Sequence, residues 1–148
     1  MTWWVLLVGL SAGAAVALQF SINSQLERAA GHSLWAALIS FLVGTAGLAI
    51  MILLQRVPLP ASKGFLHAPA WIWMGGLFGA CYVVTAIVLV PRVGVAVLAG
   101  LVVTGQMFAA LLLDHYGLFR VPVTRLTIPR AVGAAFIILG LFLMRPPK

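Results

Sequence analysis

Five apolar segments separated by short polar links dominate the sequence. Each is near the roughly 20 residues that an α-helix needs to cross about 30 Å of hydrocarbon, although the last is shorter than the rest. The segments cover residues 3–24, 34–54, 71–90, 93–113 and 131–144. Only 7% of the 148 residues are charged, whereas about a quarter are charged in a soluble domain. The sequence therefore predicts an all-α membrane protein with five transmembrane helices, forming a single integral membrane domain over residues 1–148.

The first segment has an alternative interpretation as a secretory signal. Its stretch AGAAVA, residues 12–17, resembles the small-residue region at which signals are cleaved. A signal also needs a positively charged stretch before its apolar core, and only Met1 and Thr2 precede Trp3. We therefore expect the first segment to be a membrane helix.

Basic residues are spread over every link, which argues against a nucleic-acid partner despite a formal charge of +7. With five crossings, the links alternate between the two sides of the membrane. The N-terminal side receives Arg56, Lys63, Arg120, Arg125 and Arg130, and the other side receives Arg28, Arg92, Arg145 and Lys148. Orientation normally follows a clear excess of Lys and Arg on the cytoplasmic side, so five against four predicts insertion in both orientations. The alternatives are that the fifth segment is misplaced or that Arg130 belongs to its helix.

Polar side chains within the first segment share one helix face. Steps of four residues align Ser11, Ala15, Gln19 and Asn23, while leucines face elsewhere. A polar group is costly in hydrocarbon, so these amides indicate either hydrogen bonds between helices or contact with a transported solute.

Polar side chains in the other segments have the same two interpretations, a contact between helices or a contact with a solute. Ser40 and Tyr82 are further candidates for a substrate-binding surface, and Gln106 lies two helical steps before Asp114 on the fourth segment. Asp114 is the one carboxylate near a membrane segment and is a possible site of ion coupling. Its position beside His115 at a helix end favours an interfacial cap or an ion pair with a nearby arginine over ion coupling.

Glycines in the apolar segments indicate close helix packing. Gly75 and Gly79 form a small-xxx-small pattern on the third segment, and Gly44 and Gly100 occupy the second and fourth. The five tryptophans lie near segment ends, as interfacial anchors do.

Enzyme signatures are absent from the sequence. There is no metal-spaced set of His, Cys and carboxylates, no phosphate loop and no nucleophile beside a base, so no cofactor or metal is expected. His32, His67 and His115 fall in links, and the single Cys81 is expected to pack within the third segment.

The apolar segments and their links together resemble the YdcZ-like family of the drug/metabolite transporter superfamily. The resemblance rests on GLSAGAAVALQFSINSQLERAAG, SFLVGT, WMGGLFGACYV, PRVGVAVLAGLVVTGQMFAALLLDHYGLF and RAVGAAFIILGLFLM. It implies a five-helix half-transporter of the bacterial inner membrane that pairs with an antiparallel second copy or a paralogous half. The last two helices also look similar to those of small multidrug resistance proteins. The first helix lacks the carboxylate of those proteins, which argues against proton-driven cation export there.

The leading hypothesis is a secondary transporter of a small polar or amphipathic metabolite. Gln19, Asn23, Ser40, Tyr82 and Gln106 would line a cavity where two antiparallel copies meet, and the copies would rock around it. The alternatives are a membrane-embedded interaction or regulatory subunit that moves no solute, and a lipid-handling protein. The expected partners are therefore a second copy, membrane lipid and a small solute.

Overall fold

The computed structural model describes residues 2–60 and 68–144, and within them it is built from helices without strands. The α-helices are α1 (Trp3–Ala30), α2 (Ser33–Leu54), α3 (Met74–Val93), α4 (Val95–Tyr116) and α5 (Ile128–Leu143). Short 3-10 turns precede α3 at Ala70–Trp73 and follow α4 at Leu118–Arg120. This all-helical architecture confirms the predicted fold class. Lys63, His67, Arg145 and Lys148 lie outside the described residues.

Four of the described helical stretches are long and apolar enough to cross a membrane by length and composition. They are Trp3–Ala30, Ser33–Leu54, Ala70–Val93 and Val95–Tyr116, and α5 is a shorter apolar helix. At 1.5 Å per residue, the 16 residues of α5 extend about 24 Å, somewhat less than the hydrocarbon thickness. The shortness predicted for the last segment is therefore real.

The first helix continues past Ser24, where the sequence pattern predicts its end, to Ala30. No proline or glycine interrupts the polar stretch of residues 21–28, so the backbone remains helical. Gly31 ends the helix in the left-handed region at φ 75°, and its N–H donates to the Glu27 carbonyl at 2.8 Å. His32 then begins the next helix, because its side chain accepts a hydrogen bond from the Leu34 N–H.

The junction between α3 and α4 also differs from the predicted link at residues 91 and 92. Pro91 and Arg92 belong to the last turn of α3, and the break falls at Gly94, whose φ is 82°. Pro91 lacks the N–H that would continue the helical hydrogen-bond ladder, which weakens this turn. The glycine two residues after Arg92 then supplies a backbone conformation that an L-residue rarely adopts.

The link between α4 and α5 is shorter than the sequence pattern predicts. Asp114 and His115 lie in the last turn of α4, which ends at Gly117 with φ 62°. After the 3-10 turn the chain is extended to Thr127, and Pro129 lies in the first turn of α5, where its fixed φ suits a helix start. Arg130 therefore belongs to the helix, which was one of the alternatives considered above.

The chain forms two compact units, residues 1–92 and 93–148. The first unit is centred on small and branched side chains of α2 and α3, with Tyr82, Leu26 and Val84 packed around them. These central residues are Ala36, Ala37, Val83 and Ile87. In the second unit, α4 packs against α5. The single membrane domain over residues 1–148 stays a prediction.

Candidate functional site

A cavity with uncharged polar groups lies within the first unit. Its volume is about 250 Å³, and α1, α2 and α3 all contribute to its walls. The lining residues are Gln19, Ser40, Phe41, Gly44, Thr45, Leu48 and Val83. Two of the predicted substrate-binding residues, Gln19 and Ser40, thus meet in one cavity.

Local helix geometry explains how these side chains come together. Gln19 belongs to the polar stripe of α1, whose members follow one another at steps of four residues. On α2, Ser40 precedes Gly44 by one helical turn, and Thr45 follows Gly44 and lines the same cavity. Thr45 was missed by the sequence reasoning, and its spacing of five residues from Ser40, about 140° around a helix, does not indicate a shared face.

The chemistry of this cavity is that of neutral hydrogen bonding. The Gln19 amide supplies two N–H donors and a carbonyl acceptor, and the Ser40 and Thr45 hydroxyls can each donate and accept. None of its lining residues is ionisable. The cavity therefore suits a solute that carries hydroxyl, amide or paired opposite charges better than one with a net charge.

Asn23 lies one helical turn beyond Gln19 and is more deeply placed. Its exposed fraction is 5% and that of the neighbouring Ser24 is 6%, so both side chains are buried within the described residues. Asn23 does not appear among the side chains lining the cavity. Its burial fits a contact between helices, while a role in solute binding stays a prediction.

Tyr82 packs at the edge of the first unit's core. Its ring lies 6.0 Å from that of Phe20, at an interplanar angle of 59°, which is a tilted aromatic contact. Within the described residues its buried hydroxyl has no hydrogen-bond partner. The next residue, Val83, lines the cavity, so Tyr82 brings an uncommitted hydroxyl to the same unit.

Gln106 and Asp114 both belong to α4 of the second unit, but their surroundings differ from each other. Gln106 is exposed on α4. Asp114 forms an ion pair with Arg130, with 2.5 Å between the Asp114 Oδ2 and Arg130 Nη2 atoms. Arg130 also donates from Nη1 to the Thr124 carbonyl at 3.1 Å, and the Thr124 N–H donates to the Asp114 carbonyl at 2.8 Å. The carboxylate thus takes part in an ion pair that closes the α4–α5 link, while ion coupling through it stays a prediction.

The predicted packing glycines differ in their surroundings. A Cβ atom at Gly100 would lie 2.9 Å from Leu141 Cδ1, and one at Gly79 would lie 3.6 Å from Phe41. A Cβ atom at Gly44 or Gly75 would meet no atom within 4 Å in the described part of the chain. Gly100 therefore gives α5 room for Leu141, and Gly44 widens the cavity that it lines.

Across the residues that the structure describes, no group of three or more His, Cys, Asp or Glu side chains is arranged to hold a metal ion. The candidate site is thus a cavity of hydrogen-bonding side chains.

Long apolar helices and an uncharged polar cavity together define a small multi-pass membrane protein. A protein-family model described as "Putative inner membrane exporter, YdcZ" matches residues 4–143, so the chain belongs to the YdcZ family. The comparisons with curated proteins and with solved structures found no match. Membership confirms the family resemblance, locates the protein in the inner membrane, and points to a transporter rather than an enzyme.

Proposed function

We propose that this protein is a secondary transporter that exports a small, uncharged or zwitterionic polar metabolite. It works as an antiparallel dimer of two copies, and each copy supplies a cavity lined by Gln19, Ser40 and Thr45. Solute reaches the two sides of the membrane alternately as the copies rock. The direction of transport follows the family, which is described as one of inner membrane exporters.

The cavity of the first unit is the observation that carries this proposal. At about 250 Å³ it is slightly smaller than the about 300–1,000 Å³ typical of sites for drug-sized ligands. Its three polar side chains converge from α1 and α2 between apolar walls, which is the composition typical of a ligand site. A small solute with a few polar groups fits both its volume and its chemistry.

The antiparallel arrangement is supported by the charge balance and by the number of helices. The near balance of five against four basic residues between the two sides favours neither orientation. Five helices are an odd number, so a second copy inserted in the opposite direction would form an inverted repeat. Transporters built from two oppositely inserted halves have their sites near the bilayer midplane. A second, inverted copy would supply the missing half.

Replacement of Gln19 by leucine tests the site. Leucine retains the approximate size of glutamine and removes its hydrogen bonds, so we expect uptake to fall by about tenfold, the upper end of the effect of one lost hydrogen bond. The measurement is counterflow of radiolabelled neutral amino acids and small polyols into proteoliposomes, with tetraethylammonium as the cationic comparison. The wild-type protein should move at least one neutral solute and leave tetraethylammonium outside.

Gln25→Leu is the matched control. Gln25 is an exposed glutamine of the same helix, six residues further along and thus on a different face, and it does not line the cavity. Equal loss of counterflow in both variants would show that the cavity is not the transport site. Counterflow of tetraethylammonium by the wild-type protein would contradict the proposed substrate class.

A further inference from the structure

A second and larger cavity lies within the second unit, between α4 and α5. Its volume is about 450 Å³, and apolar side chains form most of its walls. The lining residues are Phe108, Leu111, Leu112, His115, Tyr116, Leu126, Ala131, Ala134, Ala135 and Ile138. The alanines of α5 create the depression, because they face the larger side chains of α4.

The cavity has one polar end and one apolar end. His115 and Tyr116 lie in the last turn of α4, next to the link, whereas Phe108 lies two turns deeper. At 1.5 Å per residue, the distance along α4 from Tyr116 to Phe108 is about 12 Å. The cavity therefore extends from the end of the helix partway into the apolar span.

His115 presents a hydrogen-bond donor at the polar end. Its Nδ1 atom accepts a hydrogen bond from the Leu126 N–H, with a distance of 3.2 Å between the nitrogens. The neutral ring therefore carries its proton on Nε2, which leaves this N–H as a donor. An edge-to-face contact with Tyr116, at 4.9 Å between ring centroids, helps to hold the imidazole in this orientation.

Positive charge adjoins the same end. Arg125 immediately precedes the lining residue Leu126, and it is exposed on the link. Arg130, by contrast, is occupied by Asp114 and by the Thr124 carbonyl. Arg125 thus places a cation one residue along the chain from Leu126, whose N–H bonds to His115, and no ion pair with a carboxylate is shown for it within the described residues.

We propose that this cavity binds one acyl chain of an anionic phospholipid, whose phosphate is held by Arg125 and the Nε2–H of His115. The apolar walls accept the upper part of the chain, and the charged end of the cavity lies at the depth of the headgroups. Lys and Arg near a membrane surface attract anionic lipids, which distinguishes this site from a nonspecific contact with hydrocarbon. The inference does not depend on the transport activity proposed above.

The walls of the cavity restrict the chemistry of its occupant. It is too apolar for the polar solute assigned to the first unit, since His115 and Tyr116 supply its few polar side-chain groups. A single flexible chain fits the volume and the polarity of the walls.

Native mass spectrometry of the full chain in detergent tests the proposal. The probes are phosphatidylglycerol and phosphatidylcholine with identical acyl chains. We expect the wild-type protein to retain phosphatidylglycerol in preference to phosphatidylcholine by about fivefold, the contribution of one arginine near the headgroup. Arg125→Gln should abolish this preference, whereas Arg28→Gln, which removes an exposed arginine from the end of α1, should preserve it.

Ala135→Phe tests the cavity itself. Ala135 is an exposed lining residue, so a phenyl group can enter the cavity without disturbing the buried core, and both lipids should be lost. Ala110→Phe makes the same change at an exposed alanine of α4 outside the cavity, and lipid retention should be unaffected.

Three results would overturn the proposal. Equal retention of the two lipids by the wild-type protein would remove the headgroup site. Unchanged retention in Ala135→Phe, with or without a shift in the monomer–dimer ratio, would remove the acyl-chain site. Displacement of phosphatidylglycerol by inorganic phosphate alone would indicate a site for the free anion.

Discussion

Asp114 and Arg130 form the most specific polar contact described in the second unit. The pair joins the last turn of α4 to the first turn of α5, and Thr124 of the link bonds to both partners through its backbone. Their side chains are 26% and 34% exposed, so solvent screens part of the attraction. The pair is therefore better suited to fixing the geometry of the link than to supplying much stability.

A double-mutant cycle measures this contribution. Asp114→Asn and Arg130→Gln should each lower the free energy of unfolding, and their coupling should be about 0.5–1 kcal/mol, as for partly exposed ion pairs. The measurement is loss of helical circular dichroism during denaturant titration in detergent. Asp114→Asn combined with Arg92→Gln is the control, and that pair should be additive because the Asp114 side chain bonds to Arg130 and no contact with Arg92 is described. Additive effects for Asp114 and Arg130 would contradict an energetically significant ion pair.

The sequence could predict polar residues but only some of their contacts. Gln19 was recognised from its stripe on α1, and Ser40 was recognised as a polar residue within an apolar segment. An ion pair of Asp114 with an arginine was one of three alternatives, beside an interfacial cap and ion coupling, and the sequence alone did not identify Arg130 as the partner. Thr45 was missed because threonine is common in membrane helices, and only the cavity shows that it faces Gln19 and Ser40.

Glycines with positive φ mark the ends of several helices. Gly31, Gly94 and Gly117 all have positive φ angles, and each separates two helical stretches. The sequence pattern instead placed the end of α1 at Ser24, within its polar stretch. Polarity marks where a helix leaves hydrocarbon, whereas a backbone that needs positive φ marks where the helix stops, and in α1 these points are six residues apart.

Gly117→Ala tests the ordering of the α4–α5 link. An L-residue in the left-handed region costs about 1–2 kcal/mol, and the new Cβ atom would lie 2.6 Å from Val123 Cγ2. We therefore expect a loss of at least about 1 kcal/mol in the free energy of unfolding, measured by helical circular dichroism.

Gly105→Ala is its matched control. Gly105 lies inside α4, and a Cβ atom there would meet nothing within 4 Å. Alanine favours the helical backbone, so this variant should be as stable as the wild type or slightly more stable. A Gly117→Ala protein as stable as Gly105→Ala would contradict the strained turn described here.

At the scale of the whole molecule, apolar surface and balanced charge point to the same arrangement. Large hydrophobic residues remain exposed along α1, α2 and the start of α3, including Leu10, Leu53 and Phe78. Such a surface must face lipid or another copy. The hydropathy pattern was sufficient to predict this class of fold, because each helix shields its own backbone polar groups and needs few long-range contacts to cross a membrane.

The orientation of the C-terminus tests the proposed antiparallel dimer. Lys148→Cys in a Cys81→Ala background introduces a single thiol, and Cys81 must be removed because it is a free, exposed cysteine. We expect a membrane-impermeant thiol reagent to label about half of the protein in intact cells, since the charge balance favours neither orientation. Full labelling or none would show a single orientation, and an antiparallel dimer would then require a different chain as its partner.

The division into two units also determines what intrinsic fluorescence can detect. All five tryptophans belong to residues 1–92: Trp3, Trp4, Trp35, Trp71 and Trp73. Indole emission therefore originates in the unit that contains the Gln19 cavity, and α4 and α5 contribute none. A spectral change on adding a solute would arise from the first unit, while Phe108→Trp would add an emitter to the wall of the other cavity. Comparison of the tryptophan fluorescence of the wild type with that of Phe108→Trp would then separate changes in the first unit from changes at the cavity of the second unit.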